Sequence, residues 1–401
     1  MEEVNGRADL VKLSFIGDIT CDRPMLKAAR SLTGYNFEKQ FKDVKSLFEN
    51  AYVIGNLETV FAGEKIGWNP GYVSYNTPDN LAKEMKRAGI DMVTTANNHC
   101  SDCGLEGIKR TIKILEKYQI EHTGTFCDKR EKRYLIKEID GIKIAIVSCT
   151  YPLNTDLLQG NYEYINLLSE GEYAGISWKK KCIKKIIPQK IRSKLLEIRA
   201  DIKRKKGDKI IRPYIDNYEE RKTDSLRIQN MKDLLKDAKK EADLVVLAIH
   251  QGGQFNTEPG THSKQICRQF LPYVDAIIGN HPHVVQEVNQ KMNKLVVFSL
   301  GSFNLSLSAD YVRMDDFPNY SIMFNLYLNK QTKRIEYTSF SILVAVEDEK
   351  KYVRVCSVDK LYEQIDESKK DKLKEEIINI YNRFSGKNVK EINICREYKL
   401  N

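Results

Sequence analysis

Five times along this chain a short apolar run ends in a cluster containing Asp, Asn, Glu or His, and that repeated unit constrains the fold more than any other feature. Residues 11–16 run into Gly17-Asp18, 51–54 into Gly55-Asn56-Leu57-Glu58, and 91–95 into Ala96-Asn97-Asn98-His99. Residues 244–249 run into His250 and 276–278 into Gly279-Asn280-His281. A further run, 294–298, leads to Ser299-Leu300-Gly301. Such runs read as strands buried on both faces, and the patterns between them at 80–89 and 104–118 read as helices. A hairpin is expected over 134–139 and 143–148, turning at Asp140-Gly141. Strands are also expected near 320–328 and 335–346. A strand at 352–356 and a charged helix near 368–384 follow in the tail. This is an α/β chain, and in open α/β sheets ligands bind beyond the carboxyl ends of the strands. The five polar clusters are therefore expected to converge.

The chain has 401 residues, 41% hydrophobic and 30% charged, which excludes a mainly disordered or fibrous protein. No run reaches the roughly 18 apolar residues of a spanning helix, and the acidic start carries no signal-peptide pattern. A cytoplasmic location, peripheral to a membrane at most, is the expectation. The nine cysteines accordingly read as reduced thiols. The net charge of +10 is concentrated between Lys179 and Lys222, which hold 17 Lys/Arg against 6 Asp/Glu, so the remainder is near neutral. Within that stretch Ile183, Ile187, Ile191, Leu195, Ile198 and Ile202 recur at helical spacing, although Pro188 must start, kink or break the helix. We read 151–224 as a basic, partly helical insertion within a domain spanning 8–346, with 347–401 as a C-terminal extension.

Asp18, Glu58, Asn98, His250, His281 and His283 offer carboxylate, amide and imidazole donors, a mixed O/N set suited to Mn, Zn or Fe. A bridging carboxylate can hold two divalent ions about 3.5–4 Å apart, and such a pair activates water and polarises a phosphoryl oxygen. His99 is then free to act as a general acid. Each element alone has a plainer reading: Gly-Asp after a strand is a turn or cap, and a single histidine at a strand end is a hydrogen-bonded structural residue. His281-Pro282-His283 is more specific, because a rigid loop presents two imidazoles together. The Cys100/Cys103 pair reads as packing thiols, and no glycine-rich phosphate loop is present.

In order, Phe-Ile-Gly-Asp (15–18), Gly-Asn-Leu-Glu (55–58), Ala-Asn-Asn-His-Cys-Ser-Asp-Cys-Gly (96–104), Thr-Gly-Thr (123–125), His-Gln-Gly-Gly (250–253), Gly-Asn-His-Pro-His (279–283) and Phe-Ser-Leu-Gly-Ser-Phe (298–303) resemble the CapA family of poly-γ-glutamate capsule-synthesis proteins. That family belongs to the calcineurin-like metallophosphatase superfamily. The resemblance implies a four-layer αββα sandwich of two mixed sheets. It implies a dinuclear site with Asp18 and His283 on one metal and Asn98, His250 and His281 on the other, bridged by Glu58, with His99 as catalytic acid. Asn56, Asn97 and Asp102, inside the same motifs, are expected to bind substrate. Superfamily phosphatases usually carry histidine where Thr20 stands and bridge with aspartate rather than Glu58. CapA proteins commonly have His-Trp-Gly at Gln251 and Leu-Gly-Asn-Phe at Ser302.

The expected function is hydrolysis of a phosphoester type in capsule or other cell-surface polymer biosynthesis. The alternative is a non-catalytic polyanion-binding or assembly subunit of a polymer synthase or export complex with a degenerate metal site. Expected partners are an anionic polymer or phosphoester, polymer synthase or export proteins, and an anionic membrane surface through residues 179–209. Nucleic acid is disfavoured, because aromatics are sparse in the basic stretch.

Overall fold

The computed structural model describes residues 9–400 except 71–73, 152, 155–156, 159, 292–293, 310, 313–315 and the span 170–221, of which only Ile191, Leu195, Ile198, Ile202 and Asp216 are described. The strands are β1 (Leu10–Ile19), β2 (Arg30–Ser31), β3 (Gly34–Tyr35), β4 (Tyr52–Leu57), β5 (Met92–Thr94), β6 (Glu121–Thr123), β7 (Leu135–Ile139) and β8 (Ile142–Thr150). After them come β9 (Leu244–His250), β10 (Ala276–Asn280), β11 (Val288–Lys291), β12 (Lys294–Val297), β13 (Tyr320–Asn329), β14 (Arg334–Glu347), β15 (Val353–Ser357) and β16 (Tyr398–Lys399). The larger sheet has the order β15-β14-β13-β1-β4-β5-β6, with β16 paired to β14, and the smaller one β11-β12-β10-β9-β8-β7. Both are mixed. β1, β4, β5 and β6 run parallel while β13 joins β1 antiparallel. β8, β9, β10 and β12 run parallel between antiparallel edges β7 and β11.

Alternation of side chains along each strand divides the apolar residues into layers. Leu13, Phe15, Ile54 and Met92 of the larger sheet meet Ile144, Ile146, Val246, Ile278 and Val297 of the smaller one in one core. On the larger sheet's other face, Ile16, Ile19, Val53, Leu57 and Val93 pack on α1 (Arg23–Ala28), α2 (Glu38–Phe41), α3 (Lys45–Phe48), α4 (Asn80–Ala88) and the end of α5 (Gly104–Lys117). The smaller sheet's outer face, with Val147, Leu247 and Ile277, is covered by α6 (Lys222–Glu241) and α7 (Thr261–Phe270). The result is the expected αββα sandwich.

Local chemistry sets the element ends. Gly89 closes α4 in the left-handed conformation at φ 102°, and its N–H is taken by the Met85 and Lys86 carbonyls. Asp140 and Gly141 turn the β7–β8 hairpin at φ 49° and 81°, as a two-residue primed turn requires. The tail contributes β15, at the edge of the larger sheet, then α8 (Val358–Gln364) and α9 (Glu367–Ser385). Leu373, Ile377, Ile380 and Phe384 of α9 join the central core, with the Phe384 ring 4.8 Å from that of Phe340 on β14. The tail thus completes the broad sheet beyond the reach of the narrower one.

The basic insertion lies largely outside the described residues, as do Ile183 and Ile187 of its apolar stripe. Ile191, Leu195, Ile198 and Ile202 are helical and 48–53% exposed, so the body of the protein does not cover them. Among the described residues no helix is long and apolar enough to cross a membrane. The described cysteines are free thiols.

Candidate metal centre

The larger sheet delivers Asp18 at the end of β1, Glu58 just past β4 and Asn98-His99 after β5; the smaller delivers His250 at the end of β9 and His281 and His283 after β10. All of these residues other than His281 are buried. Close backbone approach makes this juncture possible. A Cβ on Gly17 would lie 1.9 Å from the Gly301 carbonyl oxygen, so only glycine admits the loop after β12 against β1. The Asp18 N–H donates to that oxygen at 3.1 Å, and the Phe303 N–H donates to the Asp18 carbonyl at 2.9 Å. His281 and His283 are both held at positive φ, 105° and 59°, a strain typical of ligand-presenting loops.

Two groups of donors share Glu58. Asp18, Glu58 and His283 form one, and Glu58, His250 and His281 the other, with the ligand atoms of each within 4.8 Å of one another. His283 Nδ1 is 3.3 Å from Asp18 Oδ2 and 3.7 Å from Glu58 Oε2. His250 Nε2 lies 3.4 Å from Glu58 Oε1, 3.0 Å from His281 Nδ1 and 2.6 Å from Asn98 Oδ1. Both Glu58 oxygens are buried with no hydrogen-bond partner. Burial alone pushes this carboxyl up, but His283, His250 and His99 outweigh it and hold it well below the usual carboxylate range. His281, pushed down by burial and then by His250, stays a neutral imidazole with a lone pair to give. A buried, ionised, unpartnered carboxylate ringed by imidazoles fits divalent cations: it lacks the hydrogen bonds that such burial ordinarily demands. With only O and N donors, the set suits Mn, Zn or Fe over softer ions.

His99 sits beside this cluster. Its Nδ1 is 2.7 Å from Asp102 Oδ2, its Nε2 is 3.0 Å from Asn154 Nδ2, and its ring centroid is 4.3 Å from that of Tyr75. Burial by itself favours the neutral ring, but Asp102 outweighs it and raises the imidazole pKa, so His99 is disposed to carry a proton. Asn56 donates to Asp18 Oδ1 at 2.7 Å and accepts from Thr94 at 3.1 Å. Asn97 donates to the Leu57 carbonyl at 2.7 Å and accepts from the His99 N–H at 3.1 Å. Both are buried and, with Asp102, contact protein groups that themselves form the site. The Cys100 and Cys103 thiols are each pushed up to about 12, chiefly by burial, which keeps them protonated. Sequence reading overlooked Tyr75, Asn154 and Tyr311, since isolated loop residues carry no periodic signal.

The sequence profile of the family described as bacterial capsule synthesis protein PGA_cap matches residues 12–306. The capsule biosynthesis protein CapA of Bacillus anthracis is 22% identical over 298 residues, covering 73% of this chain and 59% of that protein. The PGA biosynthesis protein CapA of Bacillus subtilis (strain 168) is 23% identical over 340 residues, covering 83% of this chain and 72% of that protein. The chain therefore spans somewhat under two thirds of the anthrax relative's length. A putative 5'-nucleotidase from Staphylococcus aureus, solved in complex with alpha-ketoglutarate, matches at 13% identity and a TM-score of 0.40, over 92% of this chain and 58% of that one. A hypothetical protein from Thermus thermophilus matches at 14% identity and a TM-score of 0.36, over 86% of this chain and 97% of that one.

Proposed function

The chain belongs to the bacterial capsule synthesis protein PGA_cap family, and from that premise we propose that it acts in biosynthesis of a capsule or other cell-surface polymer as a dinuclear metal-dependent phosphoester hydrolase. The observation that supports this most is Glu58, whose two buried oxygens have no hydrogen-bond partner and face histidines on either side. Asp18, Glu58 and His283 would hold one ion, and Glu58, Asn98, His250 and His281 the other. When bound, the ions supply Lewis acidity toward a phosphoryl oxygen and toward water. The chain's own part is to carry and place a proton. Asp102 fixes His99 through Nδ1, and His99 acts as general acid toward the leaving-group oxygen.

Metal content on protein purified without chelator tests the reading. About two Mn, Zn or Fe per chain are expected, with less in Asp18→Ala and His281→Ala. His99→Ala should retain metal while phosphoester hydrolysis falls by about 100-fold or more. A metal-loaded wild type that turns over neither mono- nor diesters overturns the hydrolase.

Thr20 favours a second reading, a non-catalytic polyanion-binding or assembly subunit. It stands where the superfamily places a histidine ligand, is fully buried, and has no hydrogen-bond partner for its hydroxyl. Its backbone N–H donates to Asn304 Oδ1 at 2.9 Å. Unchanged polymer binding with no turnover in both wild type and His99→Ala would support that subunit. For either reading the proposed partners are an anionic polymer, synthase or export proteins, and an anionic membrane surface met by residues 179–209. Deleting that segment should abolish sedimentation with anionic liposomes; unchanged sedimentation removes the membrane role.

A further inference from the structure

Two tyrosines far apart in sequence meet beside the metal centre, and neither is accounted for by the ligand set. Tyr75 is buried, and its backbone is fixed from both sides: its N–H donates to Asp102 Oδ2 at 2.6 Å, and its carbonyl accepts from the Cys103 thiol at 3.7 Å. Its ring lies against His99. Tyr311 comes from the segment between β12 and β13, its ring centroid 6.2 Å from His283 and 6.4 Å from Phe255. The pair thus links the two sides of the site, with a metal-ligand candidate at one end and the proton-carrying histidine at the other.

The hydroxyls face inward. The two hydroxyls lie close enough to interact with each other, one phenol's O–H toward the other's oxygen, so the pair has one donor hydrogen to spare, and both feel the negative charge of Asp22 and Glu58. Tyr311 Oη is buried with no partner that meets hydrogen-bond geometry. Burial, the largest influence on both, keeps the two groups as neutral O–H donors well past neutral pH. A buried donor without a well-formed acceptor is uncommon in folded proteins; here it is the Tyr311 hydroxyl, and beside a cation centre the missing acceptor is an anion.

Resting on the hydrolase reading above, we infer that Tyr311 and Tyr75 are positioning residues whose spare O–H donates a hydrogen bond to a non-bridging oxygen of a phosphoryl group held at the metal centre. They order the phosphoryl group between the metals and His99. No bond to either tyrosine forms or breaks.

Inorganic phosphate binding to Mn-loaded protein, measured by calorimetry, tests this with Tyr311→Phe, Tyr75→Phe and the double variant, each of which keeps the packed ring. Metal content should equal wild type, and the phosphate Kd should weaken about tenfold in Tyr311→Phe and further in the double variant. A Kd within about twofold of wild type in the double variant, with metal retained, overturns the tyrosine assignment and leaves the hydrolase reading standing. Loss of metal in Tyr311→Phe also overturns it, by making the residue a support of the ligand cage. If Mn-loaded wild type binds no phosphate at all, both the assignment and the reading beneath it fall.

Discussion

Glu58 and Glu397 set two regions of the molecule side by side. Glu397, just before β16, accepts from Lys12 Nζ at 3.1 Å, from Tyr327 Oη at 2.6 Å, and from Ser339 Oγ. Every oxygen there has a partner, and the carboxylate ties the tail to β1, β13 and β14. Glu58 is more deeply buried and has none. A buried charge that the fold has satisfied is part of the architecture; one left unsatisfied among other ligand types is held for something the chain does not itself contain. Asp102 is intermediate, with Oδ2 engaged by His99 and the Tyr75 N–H and Oδ1 lacking a partner.

The contrast can be broken most forcefully at Glu58. Glu58→Gln should weaken metal binding by at least about 100-fold, and the metal-free protein should also lose some stability at neutral pH, because the flanking histidines favour the ionised carboxylate in the fold. A variant that keeps its metal and loses only stability would show that Glu58 serves the fold, and the distinction would fail. Asp102→Asn should lower hydrolysis about tenfold to 100-fold at unchanged metal content, since His99 loses the group that raises its pKa. Glu397→Gln should leave metal content untouched and cost about 2 kcal/mol of stability at neutral pH, read by denaturant unfolding.

That stability has a defined pH dependence. Burial raises the Glu397 carboxyl, but Ser339, Tyr327 and Lys12 outweigh it, so the folded pKa lies below the unfolded one. Its contribution is present above the unfolded carboxyl pKa of about 4.3 and is lost as pH falls through the folded value. The gap between wild type and Glu397→Gln should therefore close below about pH 4. A gap that stays constant from neutral pH down through the carboxylate range would assign the loss to packing. The smallest effect is expected at Glu241, whose exposed carboxylate pairs with Lys132 and Tyr134. Lys132→Ala should leave the unfolding midpoint unchanged within error.

Much of this was legible in the sequence, for physical reasons that differ by element. Apolar runs buried on both faces announced β1, β4, β5, β9 and β10, and the polar residues at their ends announced where they converge. The expected helix over 104–118 and hairpin at Asp140-Gly141 rest on periodicity and turn chemistry, which are local. The antiparallel docking of β13 on β1 is not local: its register depends on residues 311 positions apart, as Ser14 Oγ donating to Asn325 Oδ1 at 2.8 Å shows. The tail's role was half visible, for Leu373, Ile377, Ile380 and Phe384 recur at helical spacing, but their partner sheet could not be read. Tyr75 and Tyr311 gave no signal, because each matters only through what lies across the site.

The division of the ligand set between two sheets has a consequence for how the protein matures. Each donor group mixes at least one carboxylate from the ends of β1 and β4 with at least one histidine from the ends of β9 and β10, so neither sheet alone presents a cation with the whole of either group. A nascent chain that has formed one sheet would offer a cation only part of that set. Tight uptake of the proposed ions would begin only after the sheets dock, which is late for contacts this distant along the chain. On the proposed reading, a bound ion would act as a clasp on an already docked sandwich, and its uptake during refolding would report when the two halves have closed.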